Sequence, residues 1–84
     1  MAGIMKTRVY KHAYGERIAL VFPHYDANAH RVLKDNIAWP AFQWDKDEKV
    51  WSIERNSHAI HKSCEVLRDL GYDVKDIAAN ADNL

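Results

Sequence analysis

Arg8, Tyr10, His12 and Tyr14 stand at every second position of one short segment. Side chains of an extended chain alternate between faces, so this spacing gathers all four on one side of a strand. Cations that reach phosphates, interleaved with rings that stack on bases, are what a nucleic-acid-binding sheet face requires. Lys11, Arg17, Arg31 and Lys34 lie in the same half of the chain. The candidate nucleic-acid contacts are therefore Arg8, Tyr10, Lys11, Arg17, Arg31 and Lys34. The competing reading of the same stripe is a solvated strand face with ordinary polar alternation.

A second group fits a different chemistry. Trp39 precedes Pro40 in a connecting segment, and Asp45, Asp47 and Glu48 crowd a turn. An exposed aromatic beside acidic residues is a candidate anchor for a protein partner. His58, His61 and Cys64 are all zinc-capable types, but their three-residue spacing spreads them around a helix and no fourth ligand accompanies them. No nucleophile, base and orienting group can be assembled from the five histidines and three serines. No catalytic residue, metal or cofactor is expected.

The formal net charge is zero, which disfavours a generic polyanion binder. The charge is unevenly placed. Up to Lys34 there are six basic and two acidic residues; from Asp35 onward there are six basic and ten acidic. The chain of 84 residues makes one domain with a small core, to which three tryptophans contribute much of the apolar area. Its single cysteine excludes an intramolecular disulfide and points to a reducing, cytoplasmic setting. No apolar run approaches the length needed to span a bilayer, so no membrane partner is expected.

The elements that must position these residues follow from periodicity. Residues 7–14 and 17–22 alternate as two strands around Gly15. Pro23 ends the ladder, and Asp26 caps a helix over 26–37 that buries Ala29, Val32, Leu33, Asn36 and Ile37. Phe42 and Trp44, then Trp51 and Ile53, flank a charged reversal at 46–48, which reads as a second hairpin. Asn56 or Ser57 caps a helix over 58–70 with Ile60, Cys64, Leu67 and Leu70 as its stripe, and Gly71 closes it. The predicted fold is α+β, in the order β-β-α-β-β-α: one antiparallel sheet with two helices on one face and the other face solvated. Residues 1–6 read as a loose leader, 7–74 as the domain, and 75–84 as a weakly ordered tail. A chain this small is expected to bury both Trp44 and Trp51.

The run Trp44-Asp45-Lys46-Asp47-Glu48-Lys49-Val50-Trp51-Ser52-Ile53 resembles the aromatic-Asp, turn, Lys-x-Trp-x-aliphatic signature of HARP-type domains. Phe22-Pro23-His24-Tyr25 leading into a helix that ends at 33–37, and Leu70-Gly71-Tyr72 closing the last helix, extend the resemblance over residues 7–74. Such domains are small β-β-α-β-β-α modules found beside helicase motors that anneal or remodel forked DNA. The resemblance implies a non-catalytic DNA-binding accessory module, selective for DNA structure rather than sequence. It implies single-stranded or forked DNA as ligand and a helicase, or phage DNA metabolism, as context. No phosphate-binding loop of the form G-x-x-x-x-G-K-S/T is present, so this chain is not itself expected to be a motor. The alternative is a small phage-encoded protein-interaction module that modulates a host protein through Trp39, Asp45, Asp47 and Glu48.

Overall fold

The computed structural model describes residues 2–13 and 15–84, apart from the side chain of Asn83; Tyr14 of the basic–aromatic stripe lies outside the described residues. In chain order the elements are β1 (Gly3–Ile4), β2 (Lys6–His12), β3 (Gly15–Val21), α1 (Ala27–Asn36), β4 (Phe42–Asp45), β5 (Val50–Glu54), α2 (Ser57–Asp69), β6 (Tyr72–Asp73) and α3 (Lys75–Ala79), with a closing 3-10 turn, Asn80–Asn83. The predicted β-β-α-β-β-α order is present within an α+β fold.

The two hairpins form one antiparallel sheet in the order β2-β3-β5-β4. Register sets Val9, Ile18, Ile53 and Phe42 side by side across the strands, with Leu20, Trp51 and Trp44 in the next row. A period of two then puts these residues on one face. Leu33 and Ile37 from α1, and Ile60 and Leu67 from α2, meet Ile18, Leu20, Phe42 and Ile53 there in a single buried cluster. Each such side chain contributes roughly 1.5–3 kcal/mol by leaving water.

Both long helices start where a side chain can satisfy a free backbone donor. Asp26 Oδ1 accepts from Ala29 N at 3.0 Å, and Asn56 Oδ1 accepts from Ala59 N at 2.8 Å. The stripe of α1 is narrower than its spacing predicts. Ala29, Leu33 and Ile37 are buried and Val32 partly so, while Asn36 is exposed and its amide donates to the Val32 carbonyl.

Three expectations are corrected. The leader is built into the fold: β1 pairs in parallel with β6, Met5 N donates to the Asp73 carbonyl at 3.0 Å, and Met5 is fully buried. Gly3 permits this approach, since its φ is +129° and a Cβ there would lie 2.7 Å from Pro23 Cγ. The tail also packs. Ile77 of α3 is buried, and Asp76 Oδ2 accepts from both the amide (2.7 Å) and the hydroxyl (2.8 Å) of Thr7, which covers the start of β2, an edge strand. Finally, the second face of the sheet is solvated only towards its rim: Arg17, Ala19, Ser52 and Asp45, which share it, are buried, while Arg8 and Val21 are exposed.

No helix among the described residues is long and apolar enough to cross a membrane.

Candidate nucleic-acid interface

The β4–β5 hairpin is organised by one carboxylate. Asp45 Oδ1 accepts from the amides of Asp47 and Glu48, both at 3.0 Å, and its carbonyl accepts from Lys49 N at 2.7 Å. A short acceptor side chain that captures amides two and three residues ahead is a turn-forming device. Closing the loop puts Lys49 in the left-handed region, φ +57°. Asp45 Oδ2 is taken by the Tyr10 hydroxyl, which donates at 2.6 Å from the far edge of the sheet. That bond, with the two turn amides, holds the Asp45 carboxyl below its usual range; burial, reinforced by the same bond, pushes the Tyr10 phenol up.

This clasp changes the meaning of the basic–aromatic stripe. Tyr10 reaches across the second face, and Arg8 follows it with an ion pair to Glu48 at 3.0 Å. Arg17 lies between them, 6% exposed, with Nε donating to Ser52 Oγ at 2.8 Å and Nη2 to the Ser52 carbonyl at 3.1 Å. Arg8, Tyr10 and Arg17 are thus brought together, but each is engaged within the fold: Arg17 is buried on Ser52, Tyr10 is half-buried on Asp45, and Arg8 is exposed but paired with Glu48. Lys11 is exposed on the other side of β2. Arg31 is committed along its own helix, to Asp35 at 3.6 Å and Asn28 Oδ1 at 2.6 Å. Two of the six candidate contacts meet an aromatic ring: the Arg8 guanidinium lies 5.3 Å from the Tyr10 ring centre, and Lys34 Nζ lies 5.0 Å from that of Trp51.

The acidic anchor group is broken up by the same contacts. Asp45 is buried and Glu48 is paired with Arg8, while Asp47 is exposed in the turn. Cys64 faces the core, where burial raises its thiol pKa, and His58 and His61 are exposed away from it.

The expectation that both hairpin tryptophans are core is also corrected. Trp51 is half-buried and stacks on Phe42, with ring centres 5.0 Å apart and planes at 10°. Trp44 is 50% exposed and meets Trp51 edge-on at 5.5 Å. The reason is topological. β4 is an edge strand, and α1 lays His30 and Lys34 over Trp51, its inner neighbour.

The result is an aromatic surface that runs from α1 to the second hairpin. His30 is packed by Phe22 (4.8 Å), Tyr25 (5.7 Å) and Trp51 (4.9 Å), and this burial lowers its pKa. Tyr72 fixes the approach to α1: its hydroxyl donates to Asp26 Oδ2 at 2.6 Å and lies 3.4 Å from His24 Nε2. Burial, then the Asp26 contact, pushes the Tyr72 phenol up to about 12, while Asp26 is held low.

Two hollows share Trp44 and Trp51 as a common wall. One, of about 380 Å³, is lined by Lys34, Ile37, Trp39, Phe42 and Gln43 with the two tryptophans. The other, of about 430 Å³, adds Val21, His24, Tyr25, His30, Lys49 and Val50 among its residues. Neither is lined by a carboxylate, although the whole chain carries twelve. Tyr25, His30 and Lys49 were not among the candidate contacts, and Trp44 was expected in the core. The available signal was the strand order: once the central pair is β3 and β5, Trp44 sits on an edge.

Compared with protein-family models, curated proteins and solved structures, the chain matches none.

Proposed function

We propose that the protein is a non-catalytic DNA-binding module of HARP-like type that engages single-stranded or forked DNA through the surface between α1 and the β4–β5 hairpin. One observation carries the reading: half-exposed Trp44 lies against Trp51 between two confluent hollows that present Lys34 and Lys49 and no carboxylate. Bases stack on Trp44 and Trp51, each stack being worth about 1–3 kcal/mol, while the two ammonium groups neutralise flanking phosphates. Stacking on an indole is indifferent to base identity, which supports recognition of unpaired strands rather than of a sequence. The contacts differ from the first-hairpin stripe. They use the second hairpin, the part of the chain on which the HARP resemblance rests, and the role beside a helicase motor that this resemblance implies is part of the proposal.

The protein-adaptor alternative drew on an acidic patch beside Trp39. With Asp45 buried and Glu48 paired to Arg8, that patch offers little to a partner. Anisotropy titrations of labelled single-stranded, forked and duplex oligonucleotides at low salt test the proposal. Tighter binding of the first two is expected, with a log–log salt slope of about −1.4 or steeper for two neutralised phosphates of a single strand. No association with any of the three would overturn it.

A further inference from the structure

Beyond Trp39 the track continues onto the other side of β4. A third hollow, of about 640 Å³, shares Trp39 and Gln43 with the first and is lined further by His12, Glu16, Arg17, Glu54, Arg55 and Asn56 among others. Its volume falls within the range usual for small-ligand sites. Its unusual member is Arg17. The residue is 6% exposed; its guanidinium uses Nε and Nη2 on Ser52 and has no carboxylate within ion-pair distance among the described residues. Burying a cation without a counter-charge is costly, and a bound anion would offset that cost.

The carboxylates nearby are turned to other donors. Glu54 stands directly across the ladder from Arg17, yet its Oε2 accepts from Asn56 Nδ2 at 3.0 Å. Glu16 is held by Arg55 Nη1 at 3.0 Å. Asn56 is also the N-cap of α2, so the positive end of a thirteen-residue helix opens at this hollow. Trp39 stands at its lip, 76% exposed.

We infer that this hollow is a phosphate subsite, in which the Arg17 guanidinium takes a phosphate of a nucleotide whose base stacks on Trp39. The inference extends the proposed DNA track around β4 and rests on that reading for its biological ligand. Its phosphate chemistry can be tested separately. A planar fork with its Nη1 edge uncommitted suits a tetrahedral oxyanion with two available oxygens.

The test is an amide and side-chain NMR titration of the full chain with three probes: inorganic phosphate at constant ionic strength, a thymidine hexanucleotide, and the same hexanucleotide with a 5′-phosphate. Saturable shifts at Arg17 Nε and at the amides of Glu16, Arg55 and Asn56 are expected with all three, and their loss in Arg17→Gln. A tighter 5′-phosphorylated oligonucleotide assigns the hollow to a strand end; equal affinities assign it to a backbone phosphate. Trp39→Ala, whose fold is not at stake because the ring is exposed, should weaken the oligonucleotides about 5- to 150-fold and leave inorganic phosphate binding unchanged. Phosphate that shifts none of these signals, or shifts them equally in a folded Arg17→Gln, overturns the inference. Oligonucleotides that move the Trp44 and Trp51 indoles but not the hollow would overturn the subsite and spare the proposed function. Phosphate that fills the hollow while no oligonucleotide moves those indoles would do the reverse.

Discussion

Tyr10→Phe removes one hydroxyl and should be among the more damaging single-atom changes available outside the core. In the wild type that hydroxyl donates to Asp45 Oδ2 at 2.6 Å, joining opposite edges of the sheet. A hydrogen bond to a charged group contributes about 1.5–3 kcal/mol. The Asp47 and Glu48 amides remain on Oδ1, so Oδ2 alone loses its partner. A domain of 84 residues has a total stability of about 4–13 kcal/mol, so the loss is a large share of it. The pH dependence follows from the Asp45 carboxyl, which the fold holds below its ordinary value of 3.8. A depressed carboxylate stabilises the fold above its unfolded pKa, and that stabilisation disappears as pH falls through the folded value. The difference between wild type and Tyr10→Phe should therefore be full at neutral pH and shrink below about pH 4. Urea unfolding of wild type, Tyr10→Phe, Asp45→Asn and the double variant measures the coupling. A coupling energy below about 0.5 kcal/mol at pH 7 would refute the clasp.

Lys49→Gly should raise stability by about 0.5–1 kcal/mol, because left-handed strain of about 1–2 kcal/mol is relieved against the greater unfolded freedom of glycine; the same change should weaken DNA binding, and a variant no more stable than wild type would count against strain at φ +57°. Gly3→Ala should cost about 1–3 kcal/mol and expose the Met5 amide to hydrogen exchange, since the new Cβ meets Pro23 at 2.7 Å; unchanged protection would show that β1 is not held as described. His30 should titrate below its ordinary 6.5 by NMR, because burial among rings disfavours the imidazolium; stability then falls as pH drops below about 6.5, and a midpoint at or above that value would contradict the packing.

What the sequence made legible follows from which interactions are local. The hairpins, the caps at Asp26 and Asn56, and the closing Gly71 rest on patterns within a dozen residues, and each element lies within a few residues of its expected bounds. β1 and β6 carry two residues each and pair across most of the chain, so no periodicity announces them. The candidate site failed for a related reason. Alternation put Arg8, Tyr10 and His12 on one face, but it cannot say that Arg17 and Asp45 share that face or that residues of the second hairpin will occupy Arg8 and Tyr10. Trp44 was misplaced by treating a small chain's tryptophans as core, when its burial depends on strand order and on where α1 ends. Lys34 was legible as a cation but not as a neighbour of Trp51, because helix position alone does not reveal what the helix covers.

In the proposed function, unpaired DNA is held by the tryptophan surface of the second hairpin. The decisive titration compares wild type and Trp44→Ala with oligothymidine, read by tryptophan fluorescence across a salt series. Half of the Trp44 surface is already in water, so the variant should keep its fold. Quenching is expected in the wild type, with affinity about 5- to 150-fold weaker in Trp44→Ala and binding that weakens as salt rises. Equal affinity for the two proteins, or no quenching at low salt, would contradict the proposal.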